Sequence, residues 1–211
     1  MIRPAGFRGA AFGTAVDGDG RHDVELRASI AHDLGISTEW ATIRQVHGKT
    51  VVVVIGSGFA GDADGLITEV PGLPLAVATA DCVPVILEGT RSTAIVHAGW
   101  RGVAARIVEQ AAGRMDAIGD RPVRVAIGPA IGPCCYEVGE EVVAALGGFA
   151  GRTTWGTPSV DLAAAIVEQS SGDGIDVWRS ELCTFTDRSL HSYRGEATSA
   201  RQVAVTWLPS D

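Results

Sequence analysis

Short apolar runs, each stopped by Gly, Pro, Asp or Ser, recur along the chain and set the tightest limit on its fold. The runs Leu73–Ala80, Val83–Leu87 and Thr93–His97 are separated by two and five residues. A crossover between parallel neighbours needs roughly a dozen residues or more, so these runs predict antiparallel strands joined by turns. Further strands are predicted at Phe7–Thr14, Ala41–Val46, Val51–Ile55, Val123–Ile127, Val177–Arg179 and Val203–Trp207. Apolar residues at helical spacing predict helices over Val103–Ile118, Glu137–Leu146 and Val160–Ser170, and Val24, Ile30 and Leu34, closed by Gly35, predict a first one. Strands outnumber helices and cannot all be linked by crossovers. The expected class is therefore α/β or α+β, with mixed sheets flanked by helices.

At 211 residues and 46% hydrophobic, with no internal repeat and glycines scattered as punctuation, the chain is expected to form one domain over residues 1–211. No apolar run approaches the ~18 residues of a membrane span, and the opening Met1–Gly6 lacks a signal-like core. Four cysteines are too few for a disulfide scaffold at this length, so a reducing cytoplasm is the expected compartment. Acidic residues exceed basic ones by 25 to 17, a net charge of -8, which opposes binding to a nucleic acid. Lys49 is the only lysine, so arginine carries nearly all the positive charge.

Some motifs fail on context. Gly56-Ser57-Gly58-Phe59-Ala60-Gly61 matches a dinucleotide fingerprint, but no helix follows to receive a pyrophosphate. Asp62-x-Asp64 and Asp17-x-Asp19 lack the remaining oxygen ligands of a calcium loop and read as turns. The adjacent Cys134 and Cys135 are too close for a metal clasp and read as a buried turn. Cys183 reads as an isolated small apolar side chain, and His22 and His32 as solvated.

Three segments share one pattern, a metal-capable side chain at the end of a strand followed by a break: Gln45-Val46-His47-Gly48, Ala80-Asp81-Cys82-Val83-Pro84 and Val96-His97-Ala98-Gly99. Two imidazoles and a thiolate suit Zn²⁺ and leave a fourth position open, as catalytic zinc requires. Spacing alone leaves three readings open: a metal centre at His47, Cys82 and His97, three satisfied core residues, or a Cys82–His97 nucleophile pair. Arg101, at the start of the predicted Val103–Ile118 helix, stands where an anion could be received beside His97. Arg44, Arg194 and Arg201 are further candidates for anion contact.

Gln45-Val46-His47-Gly48, Ala80-Asp81-Cys82-Val83-Pro84-Val85, His97-Ala98-Gly99-Trp100-Arg101-Gly102 and the run Gly128–Gly139 closely resemble the YfiH/LACC1 family. Its members have been called laccase-domain or polyphenol oxidase proteins, peptidoglycan editing factors and purine nucleoside phosphorylases. The resemblance continues through Asp161-Leu162, Cys183-Thr184, Ser192-Tyr193-Arg194 and Trp207-Leu208. It implies a compact α/β fold similar to that of a toxin deamidase, and zinc at His47, Cys82 and His97. It also implies phosphorolysis of adenosine, inosine, guanosine or methylthioadenosine, with adenosine deamination as a second activity.

The implied partners are a small nucleoside and phosphate, with no nucleic acid or membrane, in a monomer or homodimer. Cys82, His97 and Asp81 would be catalytic, Asp81 as a proton shuttle, an orienting group or a cap. Arg44, Gln45, Arg101 and Arg194 would contact substrate or phosphate. Alternatives are a copper polyphenol oxidase, a Cys82–His97 amide hydrolase without metal, and a cell-wall editing factor. The chain departs from the family pattern at Leu190-His191 and at Gly195–Arg201, where an aromatic pair and an Arg-Asp-Gly run are usual.

Overall fold

Strands that are apolar on both faces form the centre of the molecule, which is seen here in a computed structural model describing residues 1–172 and 174–210. The chain begins with β1 (Ala10–Phe12), α1 (Val24–Leu34), β2 (Ala41–Arg44), β3 (Val51–Val53), β4 (Gly58–Asp62) and β5 (Gly65–Thr68). It continues through β6 (Leu75–Thr79), β7 (Val83–Glu88), β8 (Thr93–Ala98), α2 (Trp100–Ala104), α3 (Ile107–Ala117) and β9 (Arg124–Ile127). It closes with α4 (Glu140–Ala145), β10 (Ala150–Arg152), β11 (Pro158–Val160), α5 (Leu162–Ser170), β12 (Asp176–Arg179), α6 (Tyr193–Glu196) and β13 (Gln202–Thr206).

Two mixed sheets result, in the orders β1-β13-β6-β2-β4 and β12-β9-β7-β8-β5-β3, with β10 and β11 as a separate hairpin. The five-residue gap closes as expected in an antiparallel β7–β8 pair, whereas the two-residue gap after Ala80 carries the chain from one sheet to the other, so β6 pairs with β13 and β2 and not with β7. The β2–β4, β3–β5 and β9–β12 pairs are parallel. Side-chain alternation then stacks four layers. Ile86 and Ile95 face Leu75, Val77 and Phe12 between the two sheets. Val83, Val85, Leu87, Val96 and Ala98 turn the other way, onto Val103, Ile107, Ala111 and Met115 of α2 and α3 and Ile166 of α5. On the far side Ala76, Val203 and Val205 pack against Ile30 and Leu34 of α1. Among the described residues no helix is long and apolar enough to cross a membrane.

Several elements differ from expectation, each for a local reason. The helix expected over Val103–Ile118 starts at Trp100 and breaks at Arg106, whose backbone is left-handed at φ 57°. Gln169 Nε2 donates to the Val103 carbonyl at 2.9 Å and Gln110 Nε2 to that of Ala105 at 2.8 Å, so the acceptors freed by the break stay satisfied. Glu137 and Val138 are drawn out of the expected Glu137–Leu146 helix by pairing with the Pro158–Ser159 segment. Val160 likewise belongs to β11, and Asp161 caps α5 by accepting from the Ala164 N–H at 2.8 Å. The glycine-rich Gly58–Asp62 segment is a strand with no following helix, in keeping with rejection of the dinucleotide reading.

A buried carboxylate anchors the β7–β8 turn. Asp120 accepts from the main-chain N–H groups of Thr90, Arg91 and Ser92 and from the hydroxyls of Thr90 and Ser92. Burial opposes its charge, but the donors on Ser92, Thr90 and Arg91 outweigh that and hold its pKa at about 2. The stabilisation from this lowered pKa is present above the ordinary carboxylate range and is lost as pH falls through about 2. Asp120→Asn is expected to lower the urea midpoint near neutrality, and the gap from wild type should close as pH drops from 4 to 2. A gap independent of pH would refute this account.

Candidate active site

The turn after β2 wraps its backbone around a carboxylate. Asp64, fully buried between β4 and β5, accepts from the N–H groups of His47 at 3.0 Å and Gly48 at 2.6 Å. His47 is left-handed there, at φ 58°, and these bonds compensate for the strain. The same carboxylate receives His97 Nδ1 at 2.8 Å, so Nε2 is the nitrogen left facing the site. Asp64 therefore aims both imidazoles, whose rings meet edge-on with centroids 4.8 Å apart.

Cys82 enters from the short β6–β7 connection, and its Sγ lies 3.9 Å from His47 Nε2. One ligand atom from each of His47, Cys82 and His97 lies within 4.8 Å of the others. Gly99 makes this approach possible, because a Cβ there would stand 3.0 Å from His47 Cδ2 and 3.2 Å from Cys82 Sγ. Burial pushes the Cys82 thiol up, but the two imidazoles overcome it and hold the thiol at about 6. Burial also opposes charge on His97, yet Asp64 and Cys82 raise it to about 9. The carboxyl of Asp64 stays below its usual range, since the His97, Gly48 and His47 donors outweigh its burial. Near neutrality, without a metal, thiolate and imidazolium form an ion pair.

The three residues open onto a cavity of about 900 Å³. Arg44, Gln45, Asp81, Arg101, Arg194 and Arg201 all line it, and so do Arg21, Trp100, Tyr136 and Tyr193. The expected residues differ in how free they are. Arg44 is paired with Asp62 at 2.5 Å. Gln45 acts as an extra rung between strands, with its amide exchanging bonds with Ala78 N and O and its oxygen accepting from Arg21. Arg194 donates to the Glu137 carbonyl and lies over the Tyr136 ring. Arg201 donates to the Thr198 and Ala200 carbonyls. Arg101 lies over the Trp100 ring at 4.3 Å.

Asp81, left-handed at φ 87°, accepts from the Thr184 and Ser192 hydroxyls at 2.6 and 2.7 Å and from Arg194 N at 2.7 Å. Its carboxylate thereby ties the Cys82 loop to the C-terminal segment carrying Arg194.

Sequence reasoning missed Asp64, which the Asp62-x-Asp64 pattern presented as one half of a turn. It is instead the orienting group of the site. Arg21 was missed for the same reason, as it follows Asp19 in a turn and forms a pair with it at 2.8 Å. His22, expected to be solvated, is exposed and still reaches the cavity lining. Cys183 is not isolated, for its Sγ lies 3.7 Å from that of Cys134.

Residues 4–209 match the family model described as multi-copper polyphenol oxidoreductase laccase. A purine nucleoside phosphorylase of Corynebacterium glutamicum is 37% identical over 199 residues, covering 88% of this chain and 81% of its own. One from Deinococcus radiodurans is 38% identical over 203 residues, covering 90% and 79%. The solved structure of YlmD from Geobacillus stearothermophilus aligns with a TM-score of 0.86 at 26% identity, over 100% of this chain and 98% of that one. YfiH of Bacillus licheniformis aligns with a TM-score of 0.85 at 25% identity, over 94% and 92%. With its sheet order, its His-Cys-His centre and these likenesses extending over nearly its whole length, the chain belongs to the laccase-like multi-copper polyphenol oxidoreductase family, the family of YfiH.

Proposed function

We propose that this chain is a purine nucleoside phosphorylase working at a zinc site formed by His47, Cys82 and His97. One observation carries the reading: in a chain of net charge -8, a single cavity gathers five arginines and several aromatic rings around the His-Cys-His centre. Such a lining suits an anionic co-substrate beside a flat heterocycle. The names of the Corynebacterium and Deinococcus relatives support the same reading.

The residues fit zinc, with two imidazole nitrogens and a thiolate of lowered pKa converging where Gly99 leaves room. When bound there, zinc supplies Lewis-acid stabilisation of developing negative charge. The chain's own groups do the rest. Asp64 fixes the His97 tautomer by accepting from Nδ1. Asp81 positions the Cys82 loop. Arg101 holds phosphate, and Trp100 and Tyr136 offer faces to the base. A phosphate oxygen then bonds to the sugar carbon, the bond to the base nitrogen breaks, and the base departs with the electron pair and takes up a proton. Adenosine, inosine, guanosine and methylthioadenosine are the proposed substrates, with deamination of adenosine as a second reaction in the same cavity.

The test is release of base from inosine with and without inorganic phosphate. Hypoxanthine and ribose-1-phosphate are expected only with phosphate, and phenol oxidation is expected not to exceed that of free copper at equal concentration. Phenol oxidation by copper-free protein, with no base released, would overturn the reading. Asp64→Asn is expected to weaken zinc binding roughly 10- to 100-fold, measured by chelator competition, because the amide cannot accept from every donor that faces it. Unchanged affinity would remove Asp64 from this role.

A second reading is favoured by the Cys82, His97 and Asp64 chain of contacts, which matches the nucleophile, base and orienting group of a thiol amide hydrolase. Chelation separates the two: it should abolish phosphorolysis and spare an amide hydrolase.

A further inference from the structure

We propose that Cys134, Cys135 and Cys183 form a second metal site, a three-thiolate centre for cuprous copper, in the wall behind the catalytic cavity. Cys183 is brought from 49 positions away to meet the adjacent Cys134 and Cys135. Cys134 Sγ lies 2.9 Å from Cys135 Sγ and 3.7 Å from Cys183 Sγ, and the whole trio lies within 4.8 Å. A metal about 2.3 Å from each sulfur sets sulfurs of a regular site nearly 4 Å apart, so the Cys134–Cys183 spacing already suits one and the adjacent pair must open.

The backbone builds the convergence. Gly132 accepts from Cys135 N and Tyr136 N in a tight turn, and Thr184 N donates to the Ala130 carbonyl, fixing the Cys183 segment beside that turn. Gly132 lies against both sulfurs, since a Cβ there would stand 3.4 Å from Cys134 Sγ and 3.6 Å from Cys183 Sγ, an ordinary packing contact. Its N–H donates to Cys183 Sγ at 3.2 Å. Burial opposes ionisation of Cys183, but N–H groups of Gly132, Phe185 and Thr186 lower its pKa, whereas burial pushes the Cys134 and Cys135 thiols up. A cation bound at the three sulfurs displaces the thiol protons.

The donor set decides the ion. An all-sulfur site selects soft cations, and structural zinc takes four protein ligands where this cluster offers three, a number that suits cuprous copper. The harder two-nitrogen, one-sulfur set at His47, Cys82 and His97 remains the zinc site. A disulfide between Cys134 and Cys135 is disfavoured, because neighbouring Cα atoms stand ~3.8 Å apart, closer than such bonds ordinarily span. All four cysteines are free in the structure. Cys135 reaches a cavity of about 480 Å³ that shares Trp100, Tyr136 and Arg194 with the main one, which gives an ion a way in.

The experiment titrates reduced, zinc-loaded protein with Cu(I) against a chromogenic Cu(I) chelator. One equivalent per chain is expected in wild type, and none in Cys183→Ser or Cys134→Ser. Wild-type protein loaded with Cu(I) should also protect Cys134 and Cys183 from iodoacetamide in a peptide map, a readout that does not depend on how the variants fold. Equal uptake by wild type and Cys183→Ser would overturn the proposal. So would a second zinc held at these cysteines without Cu(I) uptake, or a map in which Cys134 and Cys183 are joined by a disulfide.

Discussion

Replacing Cys82 by serine, or His47 or His97 by alanine, is expected to abolish binding of the zinc proposed there and to slow the proposed nucleoside cleavage on the order of 10³-fold or more. The reasoning rests on how the three donors are supported. Asp64 aims both imidazoles, and Gly99 lets Cys82 approach them, so removing any one donor leaves two that cannot close a stable catalytic site. The same geometry predicts thiol chemistry. In metal-free protein the Cys82 thiol at about 6 is mostly thiolate above that pH, so its alkylation rate should climb as pH rises through about 6 and then level off. Zinc should suppress the reaction throughout. His97, raised to about 9, carries a proton near neutrality, and zinc uptake at pH 7 should therefore release it. Metal content unchanged in all three variants, by mass spectrometry of the purified proteins, would sink the assignment.

The parts of this site that were legible in sequence are those with a local signature. In sequence His47, Cys82 and His97 each close a strand-like run, and the motifs around them identify the family, although in the structure His47 and Cys82 stand in the turns after β2 and β6 and His97 lies within β8. Asp64 had no such signature, because its partners His47 and His97 are brought to it by the pairing of β5 with β3 and β8. Cys183 was invisible as a partner of Cys134 for the same reason, since long-range contacts such as the bridge between Ala130 and Cys183 bring them together.

The strands of the two sheet centres were found, but their stacking could not be. In β6, β7 and β8 every residue is buried, so apolar character does not alternate and no face is marked. The break at Arg106 was hidden because Val103, Ile107, Ala111 and Met115 keep helical spacing across it. The strands β4 and β5 were lost to their glycines, which read as punctuation. Two of these, Gly58 at φ 105° and Gly61 at φ 89°, do have turn-like backbones and still take part in a parallel strand.

Arg101→Ala is expected to slow phosphate-dependent release of base about 10- to 150-fold, the equivalent of about 1.5–3 kcal/mol for one charge-assisted contact, while zinc stays bound. The choice of Arg101 follows from what the other arginines of the cavity already do. Arg21 and Arg44 are paired with Asp19 and Asp62, and Arg194 and Arg201 donate to main-chain carbonyls. Among the described residues Arg101 makes no side-chain hydrogen bond or ion pair, so its donors are free for a ligand. Its position over Trp100 limits the freedom it would lose on binding. The repulsion of the net charge of -8 is a weaker influence, because salt screens it beyond ~8 Å whereas Arg101 acts in contact. The proposed deamination of adenosine needs no phosphate and should be affected less by the same substitution. Inosine split equally fast with and without phosphate, yielding free ribose, would make the enzyme a hydrolase and leave Arg101 without this role.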